Sequence, residues 1–332
     1  MQLRARGRRV RGARHLWRIR RALLTALVAA SVAVPVSGAA GAADVPAPPP
    51  AALGPVDADS AALAVRYRAN RENILAAART ADGHGDRRRA AALRAMAAPD
   101  RHFLTFDGRN GGRSAEVLGN LARAERIAVL VPGADTDFEP ERYESLRAGA
   151  EALWWELDGR SAVVAWLGYR TPNTLGPSVL TTGRAEGAAP ALRGFVAELA
   201  AARPGTRVSV LCHSYGAVLC GRAAAGLAAD DLVLYGSPGA GVDSAAALRT
   251  RAAVWAGRSS RDWIALVPHT RAEPAGVSIG LGADPVAPGF GARVFPAGDG
   301  GHGDYLRPGS LALRNIVRIV SGLRPAGEDG RA

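Results

Sequence analysis

Ser214 is the residue around which a reaction can be built. Residues 208–216 read Val-Ser-Val-Leu-Cys-His-Ser-Tyr-Gly, and Ala217-Val218-Leu219 follow. A short apolar strand, a sharp turn with serine at its apex and the start of a helix together make a nucleophile elbow, which lifts the hydroxyl above the edge of a sheet. The pattern is G-x-S-x-G with Cys212 at the first glycine position. Small residues flank the serine because strand and helix pass close on either side of it. The same turn aims the Tyr215 N–H, at a helix N-terminus, toward a developing oxyanion.

A serine becomes a nucleophile only beside a base, and the base needs an orienting carboxylate. Folds built on such an elbow run Ser, acid, His along the chain. That order removes His15, His84 and His102. His213 lies inside the elbow, where its ring is expected to point away from the apex and shape the turn. His269, after Leu266-Val267-Pro268, is the alternative base or a surface or loop histidine. His302 sits in Gly298-Asp299-Gly300-Gly301-His302-Gly303-Asp304, between the last expected strand and the last helix, and is the predicted base. Asp262 is the best-placed acid, with Asp284 and Asp243 as alternatives; each is also a plausible helix cap or turn residue. Ala134, in Val131-Pro132-Gly133-Ala134, is the candidate second oxyanion donor. Asp135 and Asp137 read as caps or solvated groups. No metal and no other cofactor is expected. Trp154, Trp155, Trp166 and Tyr169 are candidate walls of an acyl pocket.

The elements that must position these residues follow from periodicity. Residues 60–80 and 86–96 read as two helices that brace the main domain, the second capped by Asp86 and closed by Pro99. Phe103–Phe106 and Ala115–Leu118 form a hairpin across the glycine-rich turn. Strands at 127–131, 162–166, 208–211, 232–235, 252–255 and 293–295 then alternate with helices at 141–157, 192–201, 215–227 and 311–320. Short apolar strands alternating with helices imply a mostly parallel sheet covered on both faces.

Residues 1–43 read as an address. Nine arginines fall in residues 1–21, an uncharged run follows from Ala22 to Ser37, and Ala40-Gly41-Ala42 fits a cleavage site. A secretory signal peptide cleaved near Ala42/Ala43 is expected, with no stable membrane insertion afterwards; an uncleaved anchor is the alternative. Removing those nine arginines from the net charge of +12 leaves +3, so the basic balance belongs to the address and no nucleic-acid partner is expected. Hydrophobic residues make up 48% of the chain and charged residues 22%, which excludes wholesale disorder. The expected organisation is a Pro/Ala-rich linker at 44–56, a helical segment at 57–99, a catalytic domain at 100–323 and a flexible tail at 324–332. Cys212 and Cys220 are the two cysteines. Cys220 lies one turn past Gly216 on the helix face that looks back at the strand carrying Cys212, so an exported chain is expected to bridge them; two reduced buried thiols are the alternative.

The segments VLVPGADTDFEP, VAWLGYRTP, VLCHSYGAVLCGRAA, DLVLYGSPGAG, GADPVAPGFGARVF and HGDYLRPGSLALRNIVRIVSG resemble, in this order, the secreted branch of a bacterial α/β-hydrolase family of unassigned function. The resemblance spans about residues 102–322. It implies the α/β-hydrolase fold, with a mostly parallel central sheet, Ser214 as nucleophile and His302 as base. Cys212 stands where cytosolic relatives tend to have glycine, and its pairing with Cys220 resembles exported members. The resulting expectation is an exported serine hydrolase acting on a carboxylic ester of a small-molecule or lipid-like acyl substrate. The alternatives are a non-catalytic binding module on the same fold, or an amidase or peptidase with the same triad.

Overall fold

The structure is a computed structural model and describes residues 46–269 and 280–327. The signal-peptide reading of residues 1–43 lies outside the described residues.

Eight strands form one sheet: β1 (His102–Asp107), β2 (Arg113–Leu118), β3 (Arg126–Val131), β4 (Ser161–Leu167), β5 (Arg207–His213), β6 (Asp231–Tyr235), β7 (Ala253–Gly257) and β8 (Arg293–Val294). Their spatial order is β1-β2-β4-β3-β5-β6-β7-β8. The β1–β2 and β2–β4 pairs are antiparallel, and every pair from β4 to β8 is parallel. The chain leaves β3 for β4 on one side and returns to β5 on the other. The β3–β5 junction is therefore the topological switch point, where the carboxyl ends of parallel strands open a crevice.

The central parallel strands β3 to β6 are apolar over most of their length because both their faces are covered, whereas the edge strand β8 is exposed. In β3, Ile127, Val129 and Val131 enter one core, while Ala128 and Leu130 enter the other. The first core lies under α4 (Gly183–Ala202) and α5 (Tyr215–Ala223); the second lies under α3 (Pro140–Glu156) and α6 (Leu311–Val320). Helix α4 begins nine residues before the stretch expected from sequence. Pro190, inside the helix, is exposed, and the stripe Ala185, Ala189, Leu192, Val196 and Leu199 is buried as one face. Burial of that stripe carries the helix through a residue that supplies no donor.

Helices α1 (Ser60–Gly83) and α2 (Arg87–Met96) start at Asp59 and Asp86, whose side chains accept from backbone N–H groups of the first turn. They cover β1, the outer edge of the sheet, through Ile74, Ala78, Leu93 and Phe103. The register of β1 shifts between Phe103 and Thr105. The backbone freed there is satisfied by α1: Asn70 donates to Phe103 O (2.9 Å) and Leu104 O (3.1 Å), and Arg66 to Leu104 O (3.2 Å). Arg66 also donates to the carbonyls of Gly54 and Pro55, so the Pro/Ala-rich stretch lies against the body with Val56 buried. At the other terminus Ala326 is held by Asn315, which accepts from its N–H at 2.8 Å. Residues 328–332 lie outside the described residues. Among those described, no helix is long and apolar enough to cross a membrane.

Candidate active site

Ser214 follows β5 directly and has φ 52° and ψ −125°, a backbone conformation that non-glycine residues hold only when their surroundings enforce it. Two contacts enforce it. The Ser214 N–H donates to Tyr235 O at 3.1 Å. Gly216 lies so near the end of β3 that a Cβ there would stand 2.6 Å from Pro132 O and 2.7 Å from Val131 O. The glycine after the elbow is thus obligatory. The position before it is Cys212, which is fully buried and bonded to Cys220 with a Cα–Cα separation of 6.4 Å.

The loops beyond β5, β7 and β8 converge. Ser214 Oγ–H donates to His302 Nε2 at 2.9 Å. His302 Nδ1–H donates to Asp262 Oδ1 (2.9 Å) and Oδ2 (3.0 Å). A carboxylate on Nδ1 fixes the proton there and leaves Nε2 as an acceptor. Asp262 is buried and accepts two more bonds, from the Tyr305 hydroxyl at 2.6 Å and the Ile264 N–H at 2.8 Å. Burial pushes its carboxyl up, but the bonds from His302, Tyr305 and Ile264 outweigh it and hold the pKa below the ordinary value. Burial and the adjacent carboxylate push the Tyr305 phenol up, so it stays a donor.

The His302 ring stands beside two others, with centroids 4.8 Å from His213 and 4.7 Å from Trp263. His213 does more than shape the turn. Its Nε2–H donates to the carbonyl of His302 at 2.8 Å. Burial first, and repulsion from His302 second, lower its pKa to about 4, so it remains neutral there.

Gly133, just past the end of β3, presses on Ser214: a Cβ there would lie 2.7 Å from Ser214 Cβ. The next residue is Ala134. Neither its N–H nor that of Tyr215 has a backbone acceptor among the described residues, and both residues line the cavity that contains Ser214.

The remaining candidates lie elsewhere. Asp284 pairs with Arg258 at 2.6 Å and accepts from Val286 N–H at 3.1 Å. Asp243 is exposed. Neither approaches His302. Asp135 accepts from Thr174 N–H and Asp137 pairs with Arg142. The expected aromatic walls are also displaced. Trp166 and Tyr169 are buried in the core under α4, Trp155 is 71% exposed, and Trp154 packs against the core under α3. The aromatic residues at the cavity are instead Trp263, Tyr215, Tyr235, Tyr305 and the histidines His213 and His302. Period-two alternation along β5 was the signal for His213, because it places Ser209, Leu211 and His213 on one face.

The cavity is about 630 Å³, within the usual range for a small-molecule site. Most of its wall is apolar. Leu180 (53%) and Trp263 (50%) line it while half exposed, and Leu175 and Leu266, still more exposed, adjoin lining residues.

Residues 107–272, half of the chain, match the family described as Alpha/beta hydrolase. The chain belongs to the alpha/beta hydrolase family. An uncharacterized protein of Mycobacterium tuberculosis is 32% identical to this hydrolase over 251 residues, which cover 66% of this chain and 38% of the relative. The chain thus spans less than half the length of that relative. An uncharacterized protein of Mycobacterium bovis is 30% identical over 178 residues, covering 47% and 66% respectively. Among solved structures, a Xanthomonas campestris protein described as a serine hydrolase without lid superposes with TM-score 0.43 at 18% identity, covering 68% of this chain and 94% of that one. Esterase PE8 superposes with TM-score 0.44 at 16% identity, covering 64% and 99%.

Proposed function

We propose that this hydrolase is an exported serine hydrolase that cleaves carboxylic esters of apolar acyl groups. The observation that carries the reading is the unbroken relay from Asp262 through His302 to Ser214, with each link near 2.9 Å.

Ser214 Oγ attacks the acyl carbonyl carbon as His302 Nε2 takes its proton. Asp262, ionised because its pKa is held down, stabilises the imidazolium that forms and keeps the ring in register. The oxyanion is received by the Tyr215 and Ala134 N–H groups at the mouth of the β3–β5 crevice. Collapse expels the alkoxide, which leaves as the alcohol with the proton from His302. A water then repeats the sequence on the acyl-enzyme and releases the carboxylic acid. The apolar wall favours an acyl substrate over a charged one.

Export is supported by the order basic, apolar, small in residues 1–43 and by a disulfide that an oxidising compartment sustains. Protein recovered from culture medium should begin near Ala43; an intact Met1 terminus there would contradict cleavage. The test of the chemistry is labelling of the purified protein with a fluorophosphonate. Wild type should label, and Ser214→Ala should not. Equal labelling of both proteins removes Ser214 from the role, and no labelling of either favours a binding module on this fold.

A further inference from the structure

The cavity around Ser214 has two unequal walls. One belongs to the core under α4 and α5 and includes Val179 and Leu281. It ends at Leu180 and Trp263, both half exposed. The other belongs to the core under α3 and α6; its apolar part is Leu130, Leu146, Gly149 and Leu306, and the exposed Glu141, Arg142 and Ser145 of α3 line the cavity beside them. Leu130 is 2% exposed, and Leu146, Gly149 and Leu306 are partly buried. The first wall ends in exposed apolar side chains, and the second closes at its inner end, where Gly149 and Leu306 meet buried Leu130.

Gly149 is the unusual residue in the closed wall. It lies in the interior of α3, where glycine is about 0.5–1 kcal/mol less favourable than alanine. Its φ is ordinary, so no turn demands it. What it provides is room: a Cβ at this position would stand 3.0 Å from Leu306 Cδ1 and 3.9 Å from Leu130 Cδ2. These neighbours are aliphatic carbons, with no polar atom among the nearest. Any larger side chain must displace Leu306, which itself lines the cavity.

Resting on the reading of Ser214 as nucleophile, we infer that the lobe bounded by Gly149, Leu306 and Leu130 is the acyl subsite, that it takes an unbranched, uncharged aliphatic chain, and that Gly149 and Leu306 set the chain length. The order of the reaction assigns the two walls. The alcohol leaves first, protonated by His302, whose ring adjoins half-exposed Trp263. It therefore departs over the open wall. The acyl group stays bonded to Ser214 until water arrives, so it occupies the closed wall.

The test is the ratio of kcat/KM for p-nitrophenyl octanoate to that for p-nitrophenyl acetate. Each methylene in an apolar pocket is worth about tenfold or more in such a ratio. Gly149→Leu should lower the octanoate-to-acetate ratio by about tenfold or more, and Leu306→Ala should raise it. The double variant exchanges the two side chains across the contact and should return toward wild type. A ratio that stays within about twofold in all folded variants, or that moves in the same direction in both single variants, overturns the subsite. Failure of the hydrolase reading is a separate result: wild type would then hydrolyse neither ester faster than Ser214→Ala. In that case octanoate should still raise the Tm of wild type and not that of Gly149→Leu, and equal shifts or none would overturn the subsite.

Discussion

Three carboxylates are buried among the described residues: Glu116, Asp231 and Asp262. Their surroundings differ in one respect that separates structure from chemistry. Glu116 receives Arg101 bidentately at 2.7 Å and also the Tyr143 hydroxyl at 3.1 Å. Asp231, at the amino end of β6, receives Arg207 bidentately together with Ser209 and the Trp255 indole N–H. Asp262, beyond the carboxyl end of β7, receives an imidazole, a phenol and a backbone N–H. A guanidinium never gives up its proton in a protein, so the first two sites are permanently paired and hold the sheet edge and strand ends together. The third partner can take a second proton on Nε2, and that nitrogen faces Ser214. The same acid group fastens the fold in two places and, on the proposed reading, drives a proton relay in the third, according to whether its partner titrates.

The sharpest way to break this comparison is to neutralise each acid in turn. Asp262→Asn should leave folding intact and lower ester turnover by about 10³–10⁴-fold, because the wrong imidazole tautomer then faces Ser214. Asp284→Asn and Asp243→Asn should stay within about tenfold on the same assay. A large loss at Asp284 would transfer the orienting role.

Next in size is the effect on stability where the partner is a guanidinium. Glu116→Ala leaves buried Arg101 without its bidentate partner, and this should lower the unfolding free energy by about 3–5 kcal/mol. Turnover per folded molecule should persist, measured well below the lowered Tm. The milder Glu116→Gln should fall between the two. If either variant is stable but inactive, the division between fastening and relay is wrong.

How far the sequence reveals this division depends on what each residue's role requires. Ser214 is legible because its elbow is local: strand, apex and helix occupy one run of about a dozen residues. His302 is legible from chain order and a glycine-rich loop. The acid is not, because Asp262, Asp284 and Asp243 each sit in turns with the same local grammar. What separates them is a contact across 40 residues, between the loops after β7 and β8. The aromatic walls were misplaced for a related reason. Composition marks Trp166 and Tyr169 as buried but carries no direction, and both point into the core under α4. Trp263 stands one residue from Asp262, where the sequence showed no periodic element to orient it. Tyr305 lies three residues past His302 in the quoted His-Gly-Asp-Tyr run, but only the folded loop brings its hydroxyl to Asp262.

A smaller effect sharpens the comparison through pH. His213 titrates at about 4 in the folded chain against 6.5 for a free histidine. The unfolded chain therefore binds this proton first as the pH falls. Stability should decline between about pH 6.5 and about pH 4, by at most about 1.4 kcal/mol per pH unit from this group, and the contribution should level off below. Asp262, whose pKa is lowered, adds its loss below the ordinary carboxylate value, so the two effects occupy successive windows. His213→Gln, which keeps a donor for the His302 carbonyl, should flatten the upper window. An unchanged slope in urea melts across that range would show that the buried ring does not titrate as its environment requires.

The smallest effect is expected at the covalent link. Cys212–Cys220 closes a loop of only eight residues' separation, so the chain-entropy contribution is at most about 2–3 kcal/mol. It ties the end of β5 to α5 on the face away from His302, since Cys212 and Cys220 both lie in the core under α4 and α5. The conformation of Ser214 has other restraints: its N–H on Tyr235 O, the close approach of Gly216 to Pro132 O, and the bond to His302. These survive reduction. Reduced and alkylated protein, or the Cys212→Ala/Cys220→Ala pair, should therefore melt earlier by an amount matching about 2–3 kcal/mol or less while losing less than about tenfold in fluorophosphonate labelling rate. If the reduced protein keeps its fold and loses labelling entirely, the bridge holds the nucleophile itself, and covalent tethering must be counted with the relay instead of with the arginine-paired acids.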